Sequence, residues 1–228
     1  MSVILIDPYR FGAAAAAPSV AYVSQNTGAG AASSHTFSSQ SIGATGTNRV
    51  IIVAINAYVS GGVSLGTVTM DYGSGATTMH QCVVAYGTTT IAAIVSLAVP
   101  TGTTGTIVVN WSGGNGQLVA MSVYRAVDLT SATEVTTGND TTPSTGAVSF
   151  TLNNNANSIM VMAATTIDGA SWGTYSSGLT EGSDQYVSSS LAGASASGDF
   201  ASANTPYTAS ATCGSGTRGV AVAATWNN

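Results

Sequence analysis

Two histidines, His35 and His80, and two cysteines, Cys82 and Cys213, are the only imidazole and thiol donors in this 228-residue chain. They approach one another in sequence at one place, His80-Gln-Cys82. Residues two apart on a β-strand share a face, so these two could offer an imidazole nitrogen and a thiol to one ion. A zinc centre takes three or four ligands, however, and no second cluster has metal-ligand spacing. The sequence therefore predicts a partly buried strand face there, with no metal and no other cofactor.

Eight acids, Asp71, Asp128, Glu134, Asp140, Asp168, Glu181, Asp184 and Asp199, could supply a carboxylate pair for glycoside hydrolysis. Most stand beside Gly, Asn or Thr at predicted strand ends, where Asp suits turn geometry. Asp140 or Asp168 with backbone oxygens could hold calcium, but the dense acidic loop of an EF-hand is missing. No Gly-x-Ser-x-Gly elbow stands between a strand and a helix, and Gly28-Ala-Gly30 precedes no helix. Catalysis has no warrant in these motifs. Among the aromatics, Trp111, Trp172 and Tyr175 could face a glycan as a stacking platform, although large rings in a sandwich more often fill the core or rim.

The elements that would position these residues are strands. Asn48 to Tyr58 is β-branched and almost wholly apolar, which suits a strand buried on both faces, and Gly61-Gly62 breaks it before a second, alternating strand at Thr67 to Tyr72. Further strands are predicted at Val20–Ser24, His35–Gln40, Thr77–Tyr86, Thr90–Val99, Gly105–Trp111, Gln117–Ala126, Thr133–Thr137, Ala147–Leu152, Ser158–Ile167, Leu179–Ser188, Leu191–Phe200, Tyr207–Thr212 and Arg218–Trp226. Turn residues punctuate nearly every gap, and no ten-residue segment has a helical period. The fold class is all-β: an antiparallel, jelly-roll-like sandwich.

The halves echo each other. Asn48-Arg-Val-Ile-Ile-Val-Ala matches Asn157-Ser-Ile-Met-Val-Met-Ala 109 positions later, and Gly116 to Tyr124 matches Arg218 to Trp226 about 102 positions later. Such a repeat fits two tandem sandwiches or two intertwined halves of one body. The connection Asp128 to Thr145 lacks linker composition, which favours one domain over residues 19–228 with an internal pseudo-repeat.

Residues 1–18 read differently. Ser2 to Phe11 is a short β-prone peptide, followed by Gly12, five alanines and Pro18. The alanine run is too short to hold a helix alone, so it reads as a tether behind an extended N-terminal arm. Val3, Ile4, Leu5, Ile6, Tyr9 and Phe11 are costly to leave in water, which suggests burial on another chain, with an edge strand of the same domain as the alternative. Asp7-Pro8 interrupts the apolar run that a secretory signal needs, so synthesis in the cytoplasm and reduced cysteines are expected. The chain has no lysine and a net charge of -5, which disfavours nucleic acid and anionic membrane surfaces as partners.

The series Thr47-Asn-Arg-Val-Ile-Ile-Val, Val68-Thr-Met-Asp-Tyr-Gly, Leu97-Ala-Val-Pro-Thr-Gly-Thr, Ile107-Val-Val-Asn-Trp-Ser, Val123-Tyr-Arg-Ala-Val-Asp and Asn157-Ser-Ile-Met-Val resembles a β-sandwich domain of bacterial surface proteins and phage structural proteins. The opening Ile4-Leu-Ile-Asp-Pro-Tyr-Arg-Phe looks like the head peptide of phage minor structural proteins. The resemblance implies a non-enzymatic virion protein, made in the host cytoplasm. It would be displayed as capsid decoration, head fibre or tail appendage, and attached to a capsid or tail protein through residues 2–11. The competing expectation is a carbohydrate-binding or adhesion module contacting a host surface glycan. A homo-oligomer fits either role.

Overall fold

The computed structural model describes residues 16–46, 48–129, 131–141, 147–167, 171–214 and 217–227; the proposed anchor, Val3 to Phe11, lies outside them. All regular structure among these residues is β. The first half comprises β1 (Ser19–Ala32), β2 (Ser34–Ser41), β3 (Val50–Val59), β4 (Ser64–Asp71), β5 (Thr77–Thr78), β6 (His80–Tyr86), β7 (Thr90–Ala98), β8 (Thr104–Ser112) and β9 (Gly116–Val127). The second comprises β10 (Thr136–Asp140), β11 (Ala147–Asn154), β12 (Ser158–Ile167), β13 (Trp172–Gly173), β14 (Thr180–Ser188), β15 (Leu191–Phe200), β16 (Asn204–Cys213) and β17 (Thr217–Asn227).

The first half forms a five-stranded sheet ordered β1-β9-β3-β7-β6 over a four-stranded sheet ordered β2-β8-β4-β5. The second repeats the plan as β10-β17-β12-β15-β14 over β11-β16-β13. All pairings are antiparallel, and each half winds as a jelly roll. The predicted strand Thr77–Tyr86 is two pieces because it turns a sandwich corner. β5 pairs with β4, buried Met79 crosses between the sheets, and β6 pairs with β7.

The five-stranded sheets lie face to face, so the fold has four layers. β3 shows why its sequence is apolar throughout. Ile51, Val53 and Ile55 point into the first sandwich with Phe37, Met70, Ile107 and Trp111. Val50, Ile52 and Ala54 point the other way and meet Ile159, Val161, Ala163, Val222 and Trp226 of the second half. β12 mirrors this, sending Met160, Met162 and Ala164 into the second sandwich with Phe150 and Tyr207. Each strand thus serves two cores, which the period-two alternation of a pleated chain permits.

At the 109-residue offset, Asn56 of β3 and Thr165 of β12 are equivalent, and the Thr165 hydroxyl donates to Asn56 Oδ1 at 2.6 Å. Equivalent residues that touch mark a local two-fold relationship between the halves. Asn56 also donates to the Ala194 carbonyl at 3.2 Å. Beside this pair, Ser122 and Tyr124 of β9 join Ser183 and Ser195 in a buried hydroxyl chain with links of 2.5, 2.8 and 2.7 Å. The sheets approach so closely that a Cβ on Gly193 would stand 2.6 Å from the Asn56 Cβ.

Arg49, 1% exposed, ties the loops at one end of the first sandwich. Its guanidinium donates to the carbonyls of Val99, Gly43, Ala44, Thr101 and Gly102 at 2.5 to 3.0 Å. The preceding Asn48 sits in the left-handed region at φ 54°, as does its counterpart Asn157 at φ 53°. Asn tolerates that conformation, so the shared Asn marks the same entry turn in both halves.

Two outcomes follow for urea unfolding. Arg49→Met strands up to five carbonyls, one buried and four partly buried, and is expected to cost about 3 kcal/mol, with Arg49→Lys recovering only part because an ammonium has three donors. Gly193→Ala is expected to cost about 1–3 kcal/mol by forcing the middle sheets apart; an unchanged midpoint would mean that the sheets yield there.

Candidate functional site

Burial decides the fate of the expected glycan platform. Trp111 is 8% and Trp172 4% exposed, so the expectation that they face a glycan is corrected: both rings are core. Their polar edges are spoken for inside the protein. Trp111 Nε1 donates to His35 Nδ1 at 2.9 Å, and Trp172 Nε1 donates to the Ala192 carbonyl at 3.2 Å. Tyr175 is half-buried against the second core, and burial, reinforced by Glu181 and Asp184, raises its pKa. Among the described residues, the exposed rings are instead Tyr22, Tyr86 and Tyr186. Tyr86 pairs with Ile91 and Tyr186 with Ala192, so they occupy equivalent ends of edge strands β6 and β14.

His35 is structural. With Nδ1 accepting from Trp111, Nε2 carries the proton that faces the Gly30 carbonyl at 3.2 Å. Burial lowers its pKa, and the Gly30 contact only partly offsets this. The carboxylates mostly serve the backbone, as turn chemistry predicts. Asp71 accepts from the N–H groups of Gly73 and Gly75, Asp140 from Ser149 and Asp199 from Val20. Burial raises the pKa of both Glu181 and Asp184, and Asp184 adds to the shift at Glu181. Asp168 lies outside the described residues. A cleft of about 390 Å³ opens between Val20, Tyr22, Thr180, Glu181 and Asp199.

One cluster brings chemistry-bearing residues together. Glu134, on the connection between the jelly rolls, reaches β6 and places Oε2 at 2.8 Å from His80 Nε2. Cys82 Sγ lies beside them, with the three donor atoms all within 4.8 Å of one another. Cys82 occupies a β-bulge, because the β6–β7 register slips between Gln81 and Val83. A bulge re-aims a side chain relative to simple alternation. The same slip recurs in the second half between Glu181 and Ser183, where the bulged residue is Gly182. There a side chain would collide with the Tyr124 hydroxyl, 2.2 Å from a built Cβ. At the register position of Tyr124 the second half carries Ala224, so the first half has room for a thiol.

The Cys82 thiol contacts the Ser96 hydroxyl at 3.3 Å, and Ser96 donates to the Ala132 carbonyl at 2.6 Å. Burial pushes the thiol pKa up to about 12, with Glu134 contributing in the same direction. Neither Cys82 nor Cys213 is joined in a disulfide among the described residues. The expectation of a two-donor strand face at His80-Gln-Cys82 needs amendment, since a third donor arrives from 52 residues beyond Cys82.

No protein-family model matches this chain, and no curated protein matches it.

The His35 arrangement generates a pH dependence. Its folded pKa lies below that of the unfolded chain, about 6.5, so the unfolded state takes up more protons as pH falls. Its contribution to stability is complete above that pH and is lost below it. His35→Asn retains an acceptor for Trp111 and is expected to flatten the fall in melting temperature between pH 7 and pH 5. An equal fall in both proteins would assign the effect to other groups.

Proposed function

We propose that this chain is a non-enzymatic structural protein of a phage particle, displayed on its surface and attached through residues 2–11 to a capsid or tail protein. The observation that supports this reading is the tandem jelly roll, whose three cores are built by residues between Val20 and Trp226. The jelly roll is an architecture of viral capsid and lectin domains. In this reading Val3, Ile4, Leu5, Ile6, Tyr9 and Phe11 act as an anchor on a partner. Strand addition or groove capture would supply affinity through main-chain hydrogen bonds and buried apolar side chains. Many copies on a particle would turn weak surface contacts into firm ones through effective concentration.

Burial of Trp111 and Trp172 removes two of the three residues that supported a glycan-binding role, so display and attachment take precedence. Deleting residues 1–15 is expected to leave the melting temperature unchanged and to abolish incorporation into particles, scored by immunogold microscopy with antibody against residues 19–228. Unfolding on deletion would reject the anchor, and native particles without label would reject the virion role.

A further inference from the structure

We propose that His80 Nε2, Cys82 Sγ and a carboxylate oxygen of Glu134 form a three-ligand site for a zinc-class divalent cation. A water on the solvent side would complete its shell, and the ion would fasten the connection between the jelly rolls to β6. The donor set carries the argument. Imidazole, thiolate and carboxylate together suit zinc and its softer neighbours, whereas calcium and magnesium call for oxygen alone. The chain has two histidines, two cysteines and two glutamates, and one of each converges here.

The geometry fits with modest movement. Ligand atoms around a tetrahedral zinc stand about 3.3–3.8 Å apart, given bonds of about 2.0–2.3 Å. The three donors lie within 4.8 Å, and the pair His80 Nε2 to Glu134 Oε2 needs to open slightly from 2.8 Å. His80 is 45% exposed at its side chain and Glu134 16%, so an ion and its water can enter from solvent while the thiol closes the inner side. Binding would release the thiol proton to solvent and give the cation a thiolate.

The surroundings support the thiol. Ser96 lies at 3.3 Å from Sγ, and its own hydroxyl is anchored on the Ala132 carbonyl, which also accepts from Trp226 Nε1 at 3.0 Å. Groups just outside a metal's ligands orient those ligands in this manner. The second half, which repeats the bulge, has Thr180 and Gly182 at the positions of His80 and Cys82 and so cannot form a copy of the site. The site belongs to one end of the interface, where the chain passes from the first jelly roll to the second.

The test uses the full chain, freed of metal and titrated with Zn2+ by calorimetry and with Co2+ by absorption. The expected result is one ion per chain, a thiolate-to-cobalt charge-transfer band that disappears in Cys82→Ser, and a Zn2+-dependent rise in melting temperature. Glu134→Gln preserves size on a partly exposed residue, so it keeps the fold, and it should weaken Zn2+ by more than about 10-fold, since even a residue outside the ligand shell can be worth that much. A missing band at saturating Co2+, a band that persists in Cys82→Ser, or equal Zn2+ affinity in Glu134→Gln would each overturn the site. In that event His80 and Glu134 form an ion pair beside a buried thiol.

Discussion

The packing of one five-stranded sheet on the other is the constraint from which the remaining features follow. β3, β7, β12 and β17 are covered on both faces over most of their length, so few of their described side chains reach water. Apolar residues answer this in most places, and small ones wherever the sheets come closest: Ala54, Ala92, Ala126, Ala163 and Ala224 lie in the shared core. The polar groups that enter are mostly matched, the buried Gln185 Oε1 being an exception. Asn56 meets Thr165, and Ser122, Ser183, Ser195 and Tyr124 satisfy one another, which removes the penalty of leaving a buried donor or acceptor unpaired. A chain with only 6% charged residues fits a fold with so much doubly covered sheet.

Duplication explains why the repeat is visible at some positions and erased at others. Asn48 and Asn157 persist because both halves need the same left-handed turn before the central strand. The residues that follow diverge. Arg49 gathers five loop carbonyls, whereas its counterpart Ser158 donates to Asn155 within its own turn. The bulged positions diverge in step with their neighbours across the sheets, with Gly182 opposite a large Tyr124 and Cys82 where a small Ala224 takes that role. A buried interface between two copies thus lets each bulge change only with what faces it.

The central strands and the all-β class were legible because burial on two faces writes a continuous apolar run and the turns carry Gly and Asn. Only Val20 to Ser24 of β1, Ser19–Ala32, is legible in the sequence: it is an edge strand with mostly exposed side chains, so residues such as Gln25, Asn26 and Gly28 carry no hydrophobic alternation. β13 escaped notice because two residues hold no period, and β10 runs three residues later than the Thr133 start that was expected. The aromatic platform was misplaced since an indole at a strand end reads the same in sequence whether it points in or out. The cluster was half legible: the His80-Gln-Cys82 spacing was plain, but a bulge and a carboxylate from another jelly roll's approach are products of tertiary packing.

Edges pose the remaining problem for such a protein. Among the described residues, each five-stranded sheet ends in strands that join a neighbour on one side only, β1 and β6 on one and β10 and β14 on the other. Lysines commonly guard such edges against pairing with another chain, and this sequence has none. Three of these four edge strands carry register breaks instead: at Tyr22–Ser24 and Ala29–Ala32 in β1, at Gln81–Val83 in β6, and at Glu181–Ser183 and Tyr186–Ser188 in β14. Bulges twist an edge away from a flat template, so they protect it without charge. Under the proposed role, with many copies at high local concentration, that protection would matter most. It also gives the bulge at Cys82 a structural reason to exist before any ion is considered, on which a binding role for the thiol could be built.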